Sequence, residues 1–317
     1  MHQLSRRNFL GTSVVGALSP KITEQHRNAN PERRSMPSIR VHSGGHLLEN
    51  TNGGPFFWLA DTAWELIHST TRDECSYYLQ TRGAQGFNTI QTVVLAELEG
   101  IRTPTPSGLQ PFEDGDPTRP SEAYFDRVVH IVEEAAQRGL YVAVLPSWGD
   151  KVTERWGRGP VLFRNDNLPV ARNYAAYLAR KLAHCSNVFW MLGGDRPSRL
   201  DQRFHATAER FGINELQDWT PIWDAMANGI LSVGPTSPLF LYHPQGGAYS
   251  TSVLMADSGW LSVNGIQSGH GSGRDTPSWE LIARDYSISP PRPVIDLEPN
   301  YEEHPVNPWP SWNPALG

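Results

Sequence analysis

Short apolar runs alternate along this chain with amphipathic stretches of helical period. Phe56–Ala60, Phe87–Leu95, Leu140–Pro146, Asn187–Leu192, Pro238–His243, Leu261–Ile266 and Val294–Leu297 have strand length and a branched and aromatic bias, so they read as buried strands. Between them the periodicity predicts helices at Arg72–Arg82, Ser121–Arg138, Leu168–His184, Arg199–Phe211, Glu215–Ile230 and Ser278–Tyr286. Thr71 and Gly83 frame the first of these, and Gly139 closes the second. Ile39–Leu48 reads as a small cover strand ahead of the turn at Glu49–Gly54. The second strand is followed by a Pro- and Gly-rich loop reaching Pro120, about 25 residues long. A connection of that length is usually functional, and it is expected to overhang the rim.

Alternation repeated this often implies parallel strands joined by helical crossovers. Asp61, Glu97, Trp148, Asp195, His243, Gln267 and Glu298 each follow a strand. A doubly wound sheet would gather such groups at one switch point. Their spread over all the strand ends fits a (β/α)8 TIM-type barrel, with its chemistry on the C-terminal rim. About seven strands precede the loop-like Pro308–Gly317. Closure needs an eighth, so the expectation is a barrel incomplete at its C-terminal end.

Ser5-Arg-Arg-Asn-Phe-Leu10 ahead of the apolar Gly11–Leu18 matches a twin-arginine export signal. Residues 1–19 are therefore expected to direct export to the periplasm or beyond, residues 20–37 to form a disordered linker, and residues 38–317 the barrel. The apolar segment is too short for stable membrane insertion. A net charge of -6 argues against a nucleic-acid or anionic-membrane partner. Eleven tryptophans suit sugar stacking, although Trp also packs cores. Cys75 and Cys185, without a CxxC or a nearby His, read as free buried thiols.

Two stretches share one design. In Val188–Pro197 a buried strand meets Gly193 and Gly194 and then Asp195; in Pro293–Pro299 a strand leads to Glu298. An acid just past a buried strand is costly unless solvent, a partner or substrate reaches it. Two carboxylates facing across a rim are what glycoside cleavage requires, one protonated and the other ionised. Arg196 complicates an acid role for Asp195, because a nearby cation lowers a carboxyl pKa. By alternation Asp296 and Glu298 share a face. A metal site from His42, His243, His270 and His304 with Asp61 or Asp195 is the rival chemistry. There is no HxH on the first strand, no HExxH and no tight His pair, so no metal or other cofactor is expected.

Several motifs together resemble one family. Phe57-Trp-Leu-Ala-Asp-Thr-Ala-Trp-Glu-Leu66, Gly86-Phe-Asn-Thr-Ile-Gln91, Leu95-Ala-Glu-Leu-Glu-Gly100, Pro146-Ser-Trp-Gly-Asp-Lys151, Leu192-Gly-Gly-Asp195, Gln267-Ser-Gly-His270 and Glu298-Pro-x-Tyr-Glu are similar to the apiosidase-like glycoside hydrolases, from about Gly54 to Pro308. The resemblance implies a retaining-glycosidase barrel in which Asp195 is acid/base and Glu298 is nucleophile. It implies release of apiose, a branched furanose, from pectic side chains such as those of rhamnogalacturonan II. Family members usually continue into an eighth strand and a C-terminal β-sandwich. Asp61, Trp64, Gln91, Trp148, Lys151, His243, Gln267, His270 and Tyr301 are the candidate contacts to an oligo- or polysaccharide, with Tyr301 placed to orient Glu298. Two other classes stay open: a non-catalytic sugar-binding barrel or inactive fragment, and a metal-dependent hydrolase on the same fold.

Overall fold

Alternate residues of four neighbouring strands enter two different cores, and that parity organises the molecule. The computed structural model describes residues 36–97, 99–153, 159–200, 217–234, 238–247, 250–269 and 277–301. The expected export signal and most of the expected linker lie outside them. The chain begins with an antiparallel sheet of β1 (Ile39–Val41), β2 (Leu48–Asn50) and β3 (Pro55–Phe56). Five parallel strands follow: β4 (Ala60–Thr62), β5 (Thr89–Leu95), β6 (Tyr141–Ser147), β7 (Val188–Gly193) and, after a small hairpin of β8 (Arg199–Leu200) with β9 (Gln217–Asp218), β10 (Phe240–His243). They are hydrogen-bonded in the order β10-β7-β6-β5-β4, and β11 (Asn264–Ile266) and β12 (Val294–Asp296) form a further parallel ladder. The Ser262 amide donates to the Phe240 carbonyl at 3.0 Å, which joins the two ladders.

Helices α1 (Leu66–Ser69), α2 (Arg72–Ala84), α3 (Glu122–Gln137), α4 (Leu168–Lys181), α5 (Thr220–Leu231), α6 (Thr251–Leu254) and α7 (Ser278–Tyr286) fill the connections. Ile90, Val94, Val142, Val144, Trp190, Leu192, Phe240 and Tyr242 face the helices, in one core with Leu79, Val128 and Leu178. Val93, Ala143, Leu145, Phe189, Met191 and Leu241 face the barrel interior. Ile39 and Leu48 join this inner core, so the β1–β3 sheet closes the end of the barrel where the strands begin. Burying each such side chain stabilises the fold by about 1.5–3 kcal/mol. The fold is a (β/α)8-type barrel; seven parallel strands, and no eighth, occur among the described residues.

The structure redraws several predicted elements. Ile39–Leu48 is not one cover strand but spans most of a hairpin, because His42 and Leu47 close a turn around Gly45 (φ +84°). The first barrel strand is Ala60–Thr62, not Phe56–Ala60, since Pro55 and Phe56 pair with β2. Helix α2 has the capping box of Thr71 and Glu74 but runs through Gly83 and turns at Gly86 (φ +92°). Arg199 and Leu200 pair with β9 rather than opening a helix, and α5 starts at Thr220; residues 201–211 lie outside the described residues. The long loop is tied to the helical layer by Phe112, which packs on Phe125 and Tyr174. Cys75 is buried, Cys185 half-buried, and both are free thiols.

Candidate active site

Strand β7 ends in three consecutive residues with left-handed backbone, Gly193 (φ +92°), Gly194 (φ +113°) and Asp195 (φ +51°). A Cβ on Gly193 would lie 2.3 Å from the His243 carbonyl oxygen, and one on Gly194 2.8 Å from Trp148 Cε3. Only glycine fits either place. The turn they make folds the chain over the barrel mouth and presents Asp195 there. A left-handed non-glycine residue stores strain that its surroundings must offset. Here the Asp195 amide donates to His243 Nδ1 at 3.2 Å and Gln267 Nε2 donates to Asp195 Oδ1 at 3.3 Å.

Glu298 lies just past β12 with a side chain only 8% exposed, whereas that of Asp195 is 30% exposed. Glu298 Oε1 accepts from Trp64 Nε1 at 3.3 Å and from the Tyr301 hydroxyl, and Oε2 lies 3.3 Å from His243 Nε2. Trp64 Nε1 also donates to the Tyr301 oxygen at 2.8 Å. Burial, reinforced by the Glu298 charge, pushes the Tyr301 phenol well above its usual range, so it remains a donor. His243 is fully buried and lies between the Glu298 carboxylate and the backbone amide of Asp195. His243 Nδ1 lies 3.2 Å from the Asp195 amide and 3.1 Å from the Pro244 carbonyl, while Nε2 faces Glu298. Donors converging on a buried carboxylate favour its ionised form.

Trp64, Trp148 and His243 form an aromatic cluster, with ring centroids 5.1 to 5.6 Å apart. Trp148 is buried while Trp64 is half-buried, so Trp64 keeps more ring face open. Beneath the mouth, Ser268 donates from its hydroxyl to Asp296 Oδ2 at 2.5 Å and from its amide to Oδ1 at 3.3 Å. Burial nevertheless raises the Asp296 pKa.

Of the sequence-derived candidates, the structure brings Asp195, Glu298, Trp64, Trp148, His243, Gln267 and Tyr301 together. It does not bring in Asp61, Gln91 or Lys151 as open sugar contacts. Asp61 points to the helical layer, where the Tyr78 hydroxyl donates to it at 2.5 Å and Arg82 Nε lies 2.6 Å away. Gln91 is a buried cross-tie, donating to Thr62 Oγ1 at 3.0 Å and to the Leu297 carbonyl at 2.9 Å. Lys151 is fully buried, with Nζ 2.8 Å from both oxygens of Asp150. His270 lies outside the described residues.

Sequence reasoning placed Glu97 after a strand and Arg196 beside Asp195 but chose neither as a site residue. Glu97, two residues beyond β5, reaches the mouth, and Arg196 is buried between it and Asp195. Glu97 carries the same signal as Asp195, a carboxylate just after a buried strand. Among the described residues no cluster of His, Cys, Asp and Glu is arranged to hold a metal ion, and no helix is long and apolar enough to cross a membrane.

A family profile described as the apiosidase-like catalytic domain matches residues 42–315. The chain belongs to this family. Among solved structures, this apiosidase-like chain is similar to a glycoside hydrolase family 5 protein from Bacteroides vulgatus, with 30% identity and a TM-score of 0.69 over 85% of this chain and 55% of that one. A second protein, described as a glycoside hydrolase, is 27% identical with a TM-score of 0.69, over 85% of this chain and 58% of that one. The chain thus spans a little over half the length of these two. A β-mannanase from the blue mussel Mytilus edulis, 12% identical with a TM-score of 0.51 over 75% and 76% of the two chains, shares the fold alone. No curated protein matches.

Proposed function

We propose that this apiosidase-like domain is a retaining glycoside hydrolase acting on plant cell-wall pectic polysaccharide, with terminal apiose as the sugar released. The observation that carries the mechanism is the setting of Glu298, a buried carboxylate at a strand end, fed by Trp64 and Tyr301 and joined through His243 to the turn bearing Asp195. Glu298 attacks the anomeric carbon as Asp195 passes its proton to the departing oxygen, and the glycosidic bond breaks. Asp195 then takes a proton from water, whose oxygen attacks the glycosyl ester and frees Glu298. Gln267 orients Asp195, and Trp64 offers a ring face to the sugar.

The apiose and pectin assignments rest on family membership, and the double displacement on the setting of Glu298. We also propose export by the twin-arginine route, on the strength of Ser5–Leu10. The test is to incubate the protein with pectic oligosaccharides ending in apiose and follow the first-formed anomer by NMR. Retention is expected, with Glu298→Gln inactive and Asp195→Asn sparing only substrates with good leaving groups. Inversion, or an active Glu298→Gln, would overturn the mechanism; binding without turnover would favour a sugar-binding barrel.

A further inference from the structure

The mouth holds a third carboxylate that a two-acid mechanism leaves unemployed. Glu97 has a side chain 29% exposed, close to the 30% of Asp195, and both lie against Arg196. Between them lies Arg196, whose side chain is fully buried. Its Nη1 donates to the Asp195 carbonyl at 2.8 Å and lies 3.4 Å from Asp195 Oδ2, while Nη2 lies 3.5 Å from Glu97 Oε1. The stem of Arg196 packs on Gly149, where a Cβ would stand 2.2 Å from Arg196 Cγ.

This geometry sets a problem for an acid catalyst. An unscreened cation beside Asp195 favours its ionised form, typically by one or more pKa units. A group that must protonate a leaving oxygen has to hold its proton at the working pH. We propose that Glu97 is a positioning residue for that proton: ionised, it is the counter-charge to Arg196 and keeps the guanidinium from stripping Asp195. The inference rests on Asp195 being the acid/base.

Among the described residues, the other charges around the trio are engaged elsewhere. Asp150, from the turn after β6, acts on Arg196 at longer range but is committed to Lys151 at 2.8 Å. Lys151 Nζ lies 3.5 Å from the Glu97 carbonyl, and His243 of β10 meets the Asp195 amide rather than its carboxylate. Glu298, beyond β12, is held by Trp64 and by Tyr301, whose phenol stays neutral. The electrostatics agree in direction. Burial raises the Glu97 pKa while Arg196 pulls it back, and Asp195 raises it further, so the carboxylates compete for one cation. Where Glu97 becomes neutral, Arg196 bears more strongly on Asp195.

The experiment measures kcat/KM against pH for the full chain, Glu97→Gln, Glu97→Asp and Asp195→Asn. Each is assayed on aryl apiosides with a poor and a good leaving group, and Asp195 is titrated separately by carboxyl 13C NMR. In Glu97→Gln the alkaline limb on the poor leaving group is expected to fall by about one pH unit, a tenfold loss above it. The Asp195 resonance should move the same way, with the good leaving group unaffected and Glu97→Asp, whose charge is drawn back by one methylene, moving the limb part-way. A loss uniform across pH with an unmoved Asp195 titration overturns the proposal. Should Glu97→Gln fail to fold, Glu97→Asp must move the limb part-way, or the proposal falls. If Asp195→Asn shows no leaving-group dependence while the Asp195 titration still answers to Glu97, the acid assignment fails and the coupling stands.

Discussion

Replacing Tyr301 by Phe removes one oxygen and tests whether Glu298 works as an ionised nucleophile. The hydroxyl donates to Glu298 Oε1 and accepts from Trp64 Nε1 at 2.8 Å. Trp64 keeps an acceptor in Tyr301→Phe, since Glu298 Oε1 lies 3.3 Å from the same nitrogen. The deficit therefore falls on the carboxylate. A hydrogen bond to a charged group is worth about 1.5–3 kcal/mol. The Glu298 side chain is only 8% exposed, so water cannot readily substitute and the upper half of that range applies. At about 1.4 kcal/mol per tenfold, kcat/KM should fall roughly 30- to 150-fold. Losing a donor to the charged form also makes Glu298 hold a proton more tightly, so the acidic limb of the pH profile should move to higher pH. The assay is steady-state turnover of an aryl apioside across pH, with a thermal melt as the folding control. A rate within twofold of wild type and an unmoved limb would refute the assignment of Glu298.

Four further outcomes follow from the geometry. Lys151→Met should destabilise the fold by about 3–5 kcal/mol, read by urea unfolding, because it removes the cation paired with the buried Asp150 carboxylate. Gly193→Ala should cost at least about 2 kcal/mol and most of the activity, since its Cβ would meet the His243 carbonyl in a left-handed backbone. Asp61→Asn should lower stability by about 1 kcal/mol, its pair with Arg82 being partly solvent-screened, and leave kcat within about twofold. Burial raises the folded-state pKa of Asp296, so its contribution to stability is present below the unfolded value and lost as pH rises through the folded one. Urea midpoints of Asp296→Asn should accordingly decline less than wild type between roughly pH 4 and 7, and an identical slope would refute the burial argument.

The barrel and the placing of Asp195 and Glu298 just past strand ends were legible because they rest on short-range rules. Strands buried on both faces read as unbroken apolar runs, and a carboxylate straight after one needs a reason to be there. What could not be read was the facing of each rim side chain, which depends on register. Asp61 shows why. With the first barrel strand drawn at Phe56–Ala60, Asp61 lies beyond its end, where a side chain can turn into the mouth. In the structure Asp61 is the middle residue of β4 and pairs with Ile90, whose side chain is in the helix-side core. Its neighbour Thr62 pairs with Gln91 on the inner face. One residue of register sends a carboxylate from the sugar to a helix. Lys151 failed differently: its partner is the preceding residue, brought onto it by a 3-10 turn at Gly149–Lys151 that no periodicity announces.

Parity also separates the residues that act from those that hold. His243 shares the inner face with Leu241, and Gln91 shares it with Val93, so both point into the barrel. Gln91 sits four residues before the end of β5 and is spent on tying strands together, whereas His243 is the last residue of β10 and reaches the Glu298 carboxylate and the Asp195 amide. Glu97 is two residues past β5, and Asp195 is two residues past β7. That common offset brings both carboxylates to the same guanidinium, Arg196, and it was present in the chain as a spacing between strand end and acid. The rule that singled out Asp195 therefore applies to Glu97 with equal force, and the mouth is better described as Glu298 facing two acids that share one buried cation than as a pair.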